Sequence, residues 1–71
     1  GHPQAQCNLG VCYANGEGVV KDLEEAYFWF SLAEANGNKT AAENRALLED
    51  KLTEEQKEKI KERVQKWQLN R

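Results

Sequence analysis

The stretch YANGEGVVKD, Tyr13 to Asp22, sets two glycines, Gly16 and Gly18, between an asparagine and a pair of valines. A Gly-x-Gly ahead of a helix can cradle a phosphate, but only with a strand before the loop and free N–H groups at the helix start after it. Here the preceding segment has helical character. Asp22 stands where its carboxylate would cap the next helix and repel an anion, and the Lys-Ser/Thr pair of a P-loop is absent. Asn15-Gly16 also suits a β-hairpin turn, but its flanks are helical. The loop is therefore read as architectural. Gly16 ends one helix, Gly18 reverses the chain again, and Val19 is expected to drop its side chain back between the two helices.

Working outward, Ala, Leu, Glu, Lys and Gln dominate and no apolar/polar alternation is sustained, so helices are expected throughout. The first runs from about Pro3 to Ala14. Proline suits a first turn, where its missing N–H would be unpaired anyway. Ala5, Leu9, Cys12 and Tyr13 recur at helical spacing, and Gly10 costs about 1 kcal/mol against alanine unless another helix approaches closely there. The second helix runs from about Leu23 to Asn36, with Asp22 as N-cap and Glu24 and Glu25 at the positive end of the dipole. Its segment AYFWFSLA is apolar nearly all round. Ala26, Trp29, Phe30 and Ala33 share a face, with Tyr27, Phe28 and Leu32 to the sides, so neighbours are expected on more than one side. Gly37 suits the left-handed C′ position.

A third helix is expected from about Ala41 to Lys51, opened by a capping box of Thr40 and Glu43. Ala41, Arg45, Leu48 and Leu52 fall on one of its faces. The fourth runs from about Glu54 to Leu69, opened by Thr53 and Gln56. Its seam of Ile60, Val64 and Trp67 on a charged background predicts one-sided packing. Its charged face mixes signs, Glu58 and Glu62 with Lys61 and Lys66, and reads as a solvated surface. Short connections make antiparallel neighbours. The predicted fold is all-α: two stacked antiparallel helical hairpins, a fragment of an α-α superhelix.

Composition narrows the function. The chain has 71 residues, ten basic and twelve acidic side chains and a net charge of −2. That is one domain at most, with no electrostatic footprint for nucleic acid or an anionic membrane. No apolar run approaches the roughly 18 residues a spanning helix needs. Cys7 and Cys12, on one helix, point roughly 140° apart. That is too far for a bridge, and two free thiols favour a reducing, cytoplasmic compartment. His2, near the chain end, cannot complete a zinc site with them. Ser31 and the cysteines lack a positioned base. The acidic pairs Glu24–Glu25, Glu49–Asp50 and Glu54–Glu55 are adjacent in sequence and share no helical face. No enzyme, cofactor or metal is expected.

Ala5, Leu9, Gly10, Tyr13, Gly16, Gly18, Val19, Asp22, Ala26, Trp29, Ala33 and Gly37 are spaced so that residues 1–39 resemble one Sel1-like repeat, a relative of the tetratricopeptide repeats. The resemblance implies helix–loop–helix units that stack into a right-handed superhelix. It implies that the Leu-Gly and Ala-x-x-Trp positions pack the two helices, and that Gly-x-Gly-Val forms the loop between them. Glu34 departs from the pattern, which often has alanine there. Thirty-six residues on, Ala5 meets Ala41, but Leu9 meets Arg45, Gly10 meets Ala46 and Tyr13 meets Glu49. Residues 40–71 therefore read as a C-terminal capping hairpin, since terminal repeats of solenoids are atypical. GHPQAQ reads as a junction between repeats, and the chain as the C-terminal piece of a longer array.

The resemblance also implies a protein-interaction scaffold or adaptor, of the kind used in bacterial signalling, host contact or membrane-protein quality control. The first helix of each repeat would line the concave face. On that helix Gln4, Asn8, Val11 and Asn15 form a stripe at i, i+4, i+7 and i+11. Amide side chains donate and accept, so the stripe is expected to hold an extended peptide by its backbone, with Val11 as apolar contact and Tyr13 at the rim. The second expectation is a structural end cap or self-association module without a ligand. It would form a homodimer through an uncovered repeat face carrying Tyr27, Phe28 and Val11.

Overall fold

A computed structural model describes residues 2–69; Gly1, the glycine of the expected repeat junction, lies outside them. Four α-helices follow one another: α1 (Pro3–Asn15), α2 (Leu23–Ala35), α3 (Lys39–Leu48) and α4 (Glu54–Leu69), with a 3-10 turn over Glu49–Lys51. The fold is all-α: α1 and α2 pair as a hairpin, and α3 and α4 each return to pack on α2. The helix bounds expected from sequence hold to within a residue or two except at α3.

The loop after α1 works as its glycines require. Gly16 sits at φ 72° and Gly18 at φ 74°, conformations that cost a residue with a Cβ about 1–2 kcal/mol. The Gly16 and Glu17 N–H groups both donate to the Cys12 carbonyl, closing α1. The Asp22 N–H then donates to the Tyr13 carbonyl at 3.0 Å, which ties the far end of the loop back to α1. Asp22 Oδ1 accepts from the Glu24 and Glu25 N–H groups at 3.1 and 3.2 Å. The α2 N-terminus is thus capped by the protein's own carboxylate. Val19 departs from expectation. It is half-buried and lies outside the apolar set packed on the core, because the Asp22–Tyr13 bond, not a valine side chain, closes the loop.

The α2–α3 corner corrects the expected capping box. Gly37, at φ 97°, donates to the Glu34 carbonyl and Asn38 donates to that of Ala33. Together these two bonds form a Schellman closure. Asn38 emerges in extended geometry and its side chain accepts from the Ala41 N–H at 2.9 Å, so it opens α3 while it closes α2. Thr40 is therefore already inside the helix. At α4 the expected box is present: Gln56 N–H donates to Thr53 Oγ1 at 3.1 Å, and Thr53 N–H to Gln56 Oε1 at 2.8 Å.

The hub is α2, which packs on α1, α3 and α4. Its Ala26, Tyr27, Phe28, Phe30, Leu32 and Ala33 are all buried, joined by Cys7 from α1, Ala41 and Leu48 from α3, and Ile60 from α4. A helix apolar on several sides is stable in water only with a neighbour on each, and the other three helices supply them. In α1 the buried positions are Gln6, Cys7 and Gly10; Ala5 is exposed and Leu9 half-buried. Gly10 earns its place against its helix cost, because a Cβ there would lie 2.6 Å from the Phe30 ring. Ile60 is the only buried residue of α4 among those described, with Val64 half-buried beyond it. That is the one-sided packing its narrow seam predicts.

Candidate functional site

Once the core is assigned, a charged cluster, an aromatic cluster and two grooves stand out among the described residues. The first feature is a charged cluster at the α2–α3–α4 junction. Glu34, the residue that departs from the repeat pattern, pairs with Arg45 Nε, and Arg45 Nη1 pairs with Glu49. The Tyr27 hydroxyl donates to Glu49 Oε1 at 2.8 Å and faces Arg45 Nη1 at 3.4 Å. Lys57 Nζ reaches both Glu49 Oε2 and the Glu49 carbonyl at 3.2 Å. The Tyr27 hydrogen bond, with Lys57 and Arg45 beside it, holds the Glu49 carboxyl below the usual carboxylate value. Burial, reinforced by Glu49, pushes the Tyr27 phenol up. The Arg45 guanidinium is held charged chiefly by Glu34. Every charge here is answered by its opposite within the chain, so the cluster acts as a clasp between the helices.

The second feature is aromatic. Phe28, Trp29 and Trp67 meet edge-to-face in a triangle with centroids 5.1 to 6.1 Å apart. Arg63 lies over the Phe28 ring at 4.0 Å while its Nη1 holds Glu25 at 2.8 Å. Trp29 Nε1 is buried without a hydrogen-bond acceptor among the described residues. A groove of about 280 Å³ runs beside the triangle between His2, Ala5, Gln6, Leu9, Trp29 and Trp67. Tyr27 and Phe28, expected on an uncovered face, are 2% and 3% exposed. The clasp covers the first, and Arg63 with Trp67 covers the second, so both side chains are covered within the single chain.

On α1, Gln4, Asn8 and Asn15 are exposed, as their stripe requires, and Val11 is half-buried. Gln4 Nε2 donates to Asn8 Oδ1 at 3.2 Å, and Asn15 Nδ2 to Glu17 Oε1 at 3.3 Å. The end of the stripe opens on a second groove of about 200 Å³ between α1 and α3. Val11, Ala14 and Asn15 form one wall and Asn44, Leu47 and Leu48 the other, with Phe30 at the floor. The structure thus brings Val11 and Asn15 to a cleft, while Gln4 and Asn8 continue along the same helix face. Tyr13, expected at the rim, packs half-buried against the core instead.

Sequence reasoning did not find the α3 wall. Leu47 is an apolar residue off the Ala41–Leu48 face and is 71% exposed. Cys7 and Cys12 are both free thiols, as expected. Among the described residues no cluster of three or more His, Cys, Asp or Glu could hold a metal ion. Among the described residues no helix is long and apolar enough to cross a membrane.

Residues 3–38, just over half of the chain, match the family model of the Sel1 repeat. The match spans α1, the glycine loop, α2 and its Schellman turn. Neither the curated proteins nor the solved structures yield a match.

Proposed function

From the premise that the chain belongs to the Sel1 repeat family, whose repeats mediate protein–protein interaction, we propose that it binds a peptide or protein segment along the exposed face of α1. Gln4, Asn8, Val11 and Asn15 carry the contact. Residues 40–71 act as the cap that closes the repeat's other side.

The observation that supports this reading most is the cleft at the end of the stripe. A protein surface whose only task is solubility has no need to keep amides in a row beside an apolar cleft. Side-chain amides can pair with both the N–H and the C=O of a bound backbone, and a cleft of this size accepts a side chain from it. The clasp and the capped α2 N-terminus offer no competing site, since their charges are satisfied internally.

The test is a titration of partner segments against the wild type and the double variant Asn8→Ala/Asn15→Ala. The side chains are exposed, so the variant should melt within about 0.5 kcal/mol of wild type. Affinity is expected to fall by about tenfold, roughly the loss of one or two hydrogen bonds. Unchanged affinity would rule out the α1 stripe as the contact.

A further inference from the structure

We infer that Asn15 is a site of spontaneous modification: in the folded chain its side-chain amide is lost to attack by the Gly16 backbone nitrogen, leaving aspartate or isoaspartate at the end of α1. Asn36, in the same local sequence, is held back by its packing. The inference does not depend on what α1 binds.

The first ground is a repeated tripeptide. Ala14-Asn15-Gly16 ends α1, and Ala35-Asn36-Gly37 ends α2. Asparagine followed by glycine is prone to ring closure, because glycine has no side chain to block the approach of its own nitrogen. The Gly16 nitrogen gives up its proton to solvent base and attacks Cγ of Asn15. The bond from Cγ to the side-chain nitrogen breaks, and that nitrogen takes up a proton and leaves as ammonia. Water then opens the cyclic imide. Opening at Cγ restores the ordinary backbone and leaves aspartate. Opening at the main-chain carbonyl routes the backbone through Cβ and Cγ, as isoaspartate.

The second ground is what must open before either ring can close. The flanking alanine and glycine are the same at both sites, so a difference between them comes from the fold. Both glycine nitrogens are tied up at first: the Gly16 N–H donates to the Cys12 carbonyl, and the Gly37 N–H to that of Glu34 at 2.9 Å. Asn15, Gly16 and Glu17 are all exposed. The Asn15 side chain has one bond among the described residues, to Glu17 Oε1. Fraying of the last turn of α1 is enough to release it. Asn36 is half-buried, and its Nδ2 donates at 3.0 Å to Oε1 of Gln6, a side chain of α1 that is itself buried. The Asn36 N–H donates to the Leu32 and Ala33 carbonyls, the Asn38 N–H donates to Ala33, and the Asn38 side chain caps α3. To turn toward the Gly37 nitrogen, Asn36 must give up the link to α1, the close of α2 and the start of α3 together. A fraying helix end opens at little cost, whereas a joint between packed elements opens at a cost nearer that of unfolding.

The two products would also differ in effect. At Asn15 an amide that donates to Glu17 becomes a carboxylate facing like charge at the negative end of the α1 dipole. Isoaspartate further lengthens the backbone there and moves the Gly16 N–H off the Cys12 carbonyl, which loosens the glycine loop. At Asn36 the same exchange would set a carboxylate against the Gln6 carbonyl oxygen, two acceptors with no proton between them. The fold thus shields the position where the exchange breaks a buried bond and leaves the exposed position to react.

The test is ageing of the whole chain in mildly alkaline buffer, folded and in concentrated urea, followed by trypsin digestion and mass spectrometry. Cleavage after Lys21 and Lys39 places Asn15 in residues 1–21 and Asn36 in residues 22–39, so each site is read from its own peptide. In urea the two are expected to convert at similar rates. In the folded chain Asn15 is expected to convert at least about tenfold faster than Asn36, with isoaspartate among the products. Gln6→Ala, confirmed as folded by its melt, is expected to speed Asn36 and leave Asn15 unchanged. Equal rates in the folded chain, faster conversion at Asn36, or no conversion at Asn15 while the urea sample converts would overturn the inference. A gap that persists in urea also overturns it, since sequence and not the fold would then set the rates, and so does a Gln6→Ala chain in which Asn36 is as slow as before.

Discussion

Gly10→Ala destabilises the protein even though alanine is the better helix former. In a helix interior the exchange should gain about 1 kcal/mol. Here the new Cβ would lie 2.6 Å from Phe30 Cε1 and 2.7 Å from Cδ1, closer than atoms approach without something shifting. Phe30 is 2% exposed and packed in the core, so its ring moves only by disturbing its neighbours. Overpacking of this kind costs about 1–3 kcal/mol, so the net loss is up to about 2 kcal/mol. That is a large share of the roughly 3–5 kcal/mol a core this small supplies. The sign reverses once the clash is relieved. In a Phe30→Leu background, itself less stable, Gly10→Ala should cost little or be stabilising. Urea melts of the four proteins in a double-mutant cycle decide this; equal costs in both backgrounds would place the clash elsewhere.

Arg45→Ala is the second large effect. One guanidinium answers both Glu34 and Glu49 and lies against the Tyr27 hydroxyl. Its removal leaves two carboxylates and a buried phenol short of a partner. Because Arg45 retains some exposure, water softens the loss, and about 1–3 kcal/mol is expected. Arg45→Lys should rescue little, since a single ammonium cannot reproduce Nε to one carboxylate and Nη1 to another.

The same clasp sets an acid limit. The Glu49 carboxyl is held below its ordinary value of 4.5 by Tyr27 and the neighbouring cations. Between the folded and unfolded values the unfolded chain binds more protons, so stability falls as pH drops through that interval. Above it the contribution is present in full. Melts from about pH 6 to about pH 3 should show this decline, and Glu49→Gln should flatten it. An identical slope in the variant would remove Glu49 from the clasp.

Much of the fold was legible because several local signals agreed. Pro3, Gly16, Asp22, Gly37 and the Thr53–Gln56 box each mark a helix end by backbone chemistry that needs no tertiary partner. The α3 start was not legible, because Asn38 and Thr40 are both good caps two residues apart. The Schellman closure after Gly37 decided between them, and that is a property of the turn as built. The clasp was missed for a similar reason. Glu34 looks like a departure from a pattern until Arg45 is placed beside it, and the two are eleven positions apart on different helices. Tyr27 and Phe28 were read as flank residues of an uncovered face, yet α3 and α4 both return to α2 and cover them. Of the proposed interaction face, the exposed α1 stripe could be written down from spacing alone. The α3 wall could not, because it becomes a wall only when α3 lies beside α1.

The central claim is that one repeat and the hairpin after it close around α2 as a single self-sufficient unit, leaving the α1–α3 face free. Solution mass and thermal melting, measured together over about a hundredfold range of protein concentration, test it most directly. The buried positions of Tyr27, Phe28 and Leu32 predict a monomer with one cooperative transition at a concentration-independent temperature. A dimer whose melting temperature climbs with concentration would contradict it, since part of the α2 surface would then be covered by a second copy and not by α3 and α4.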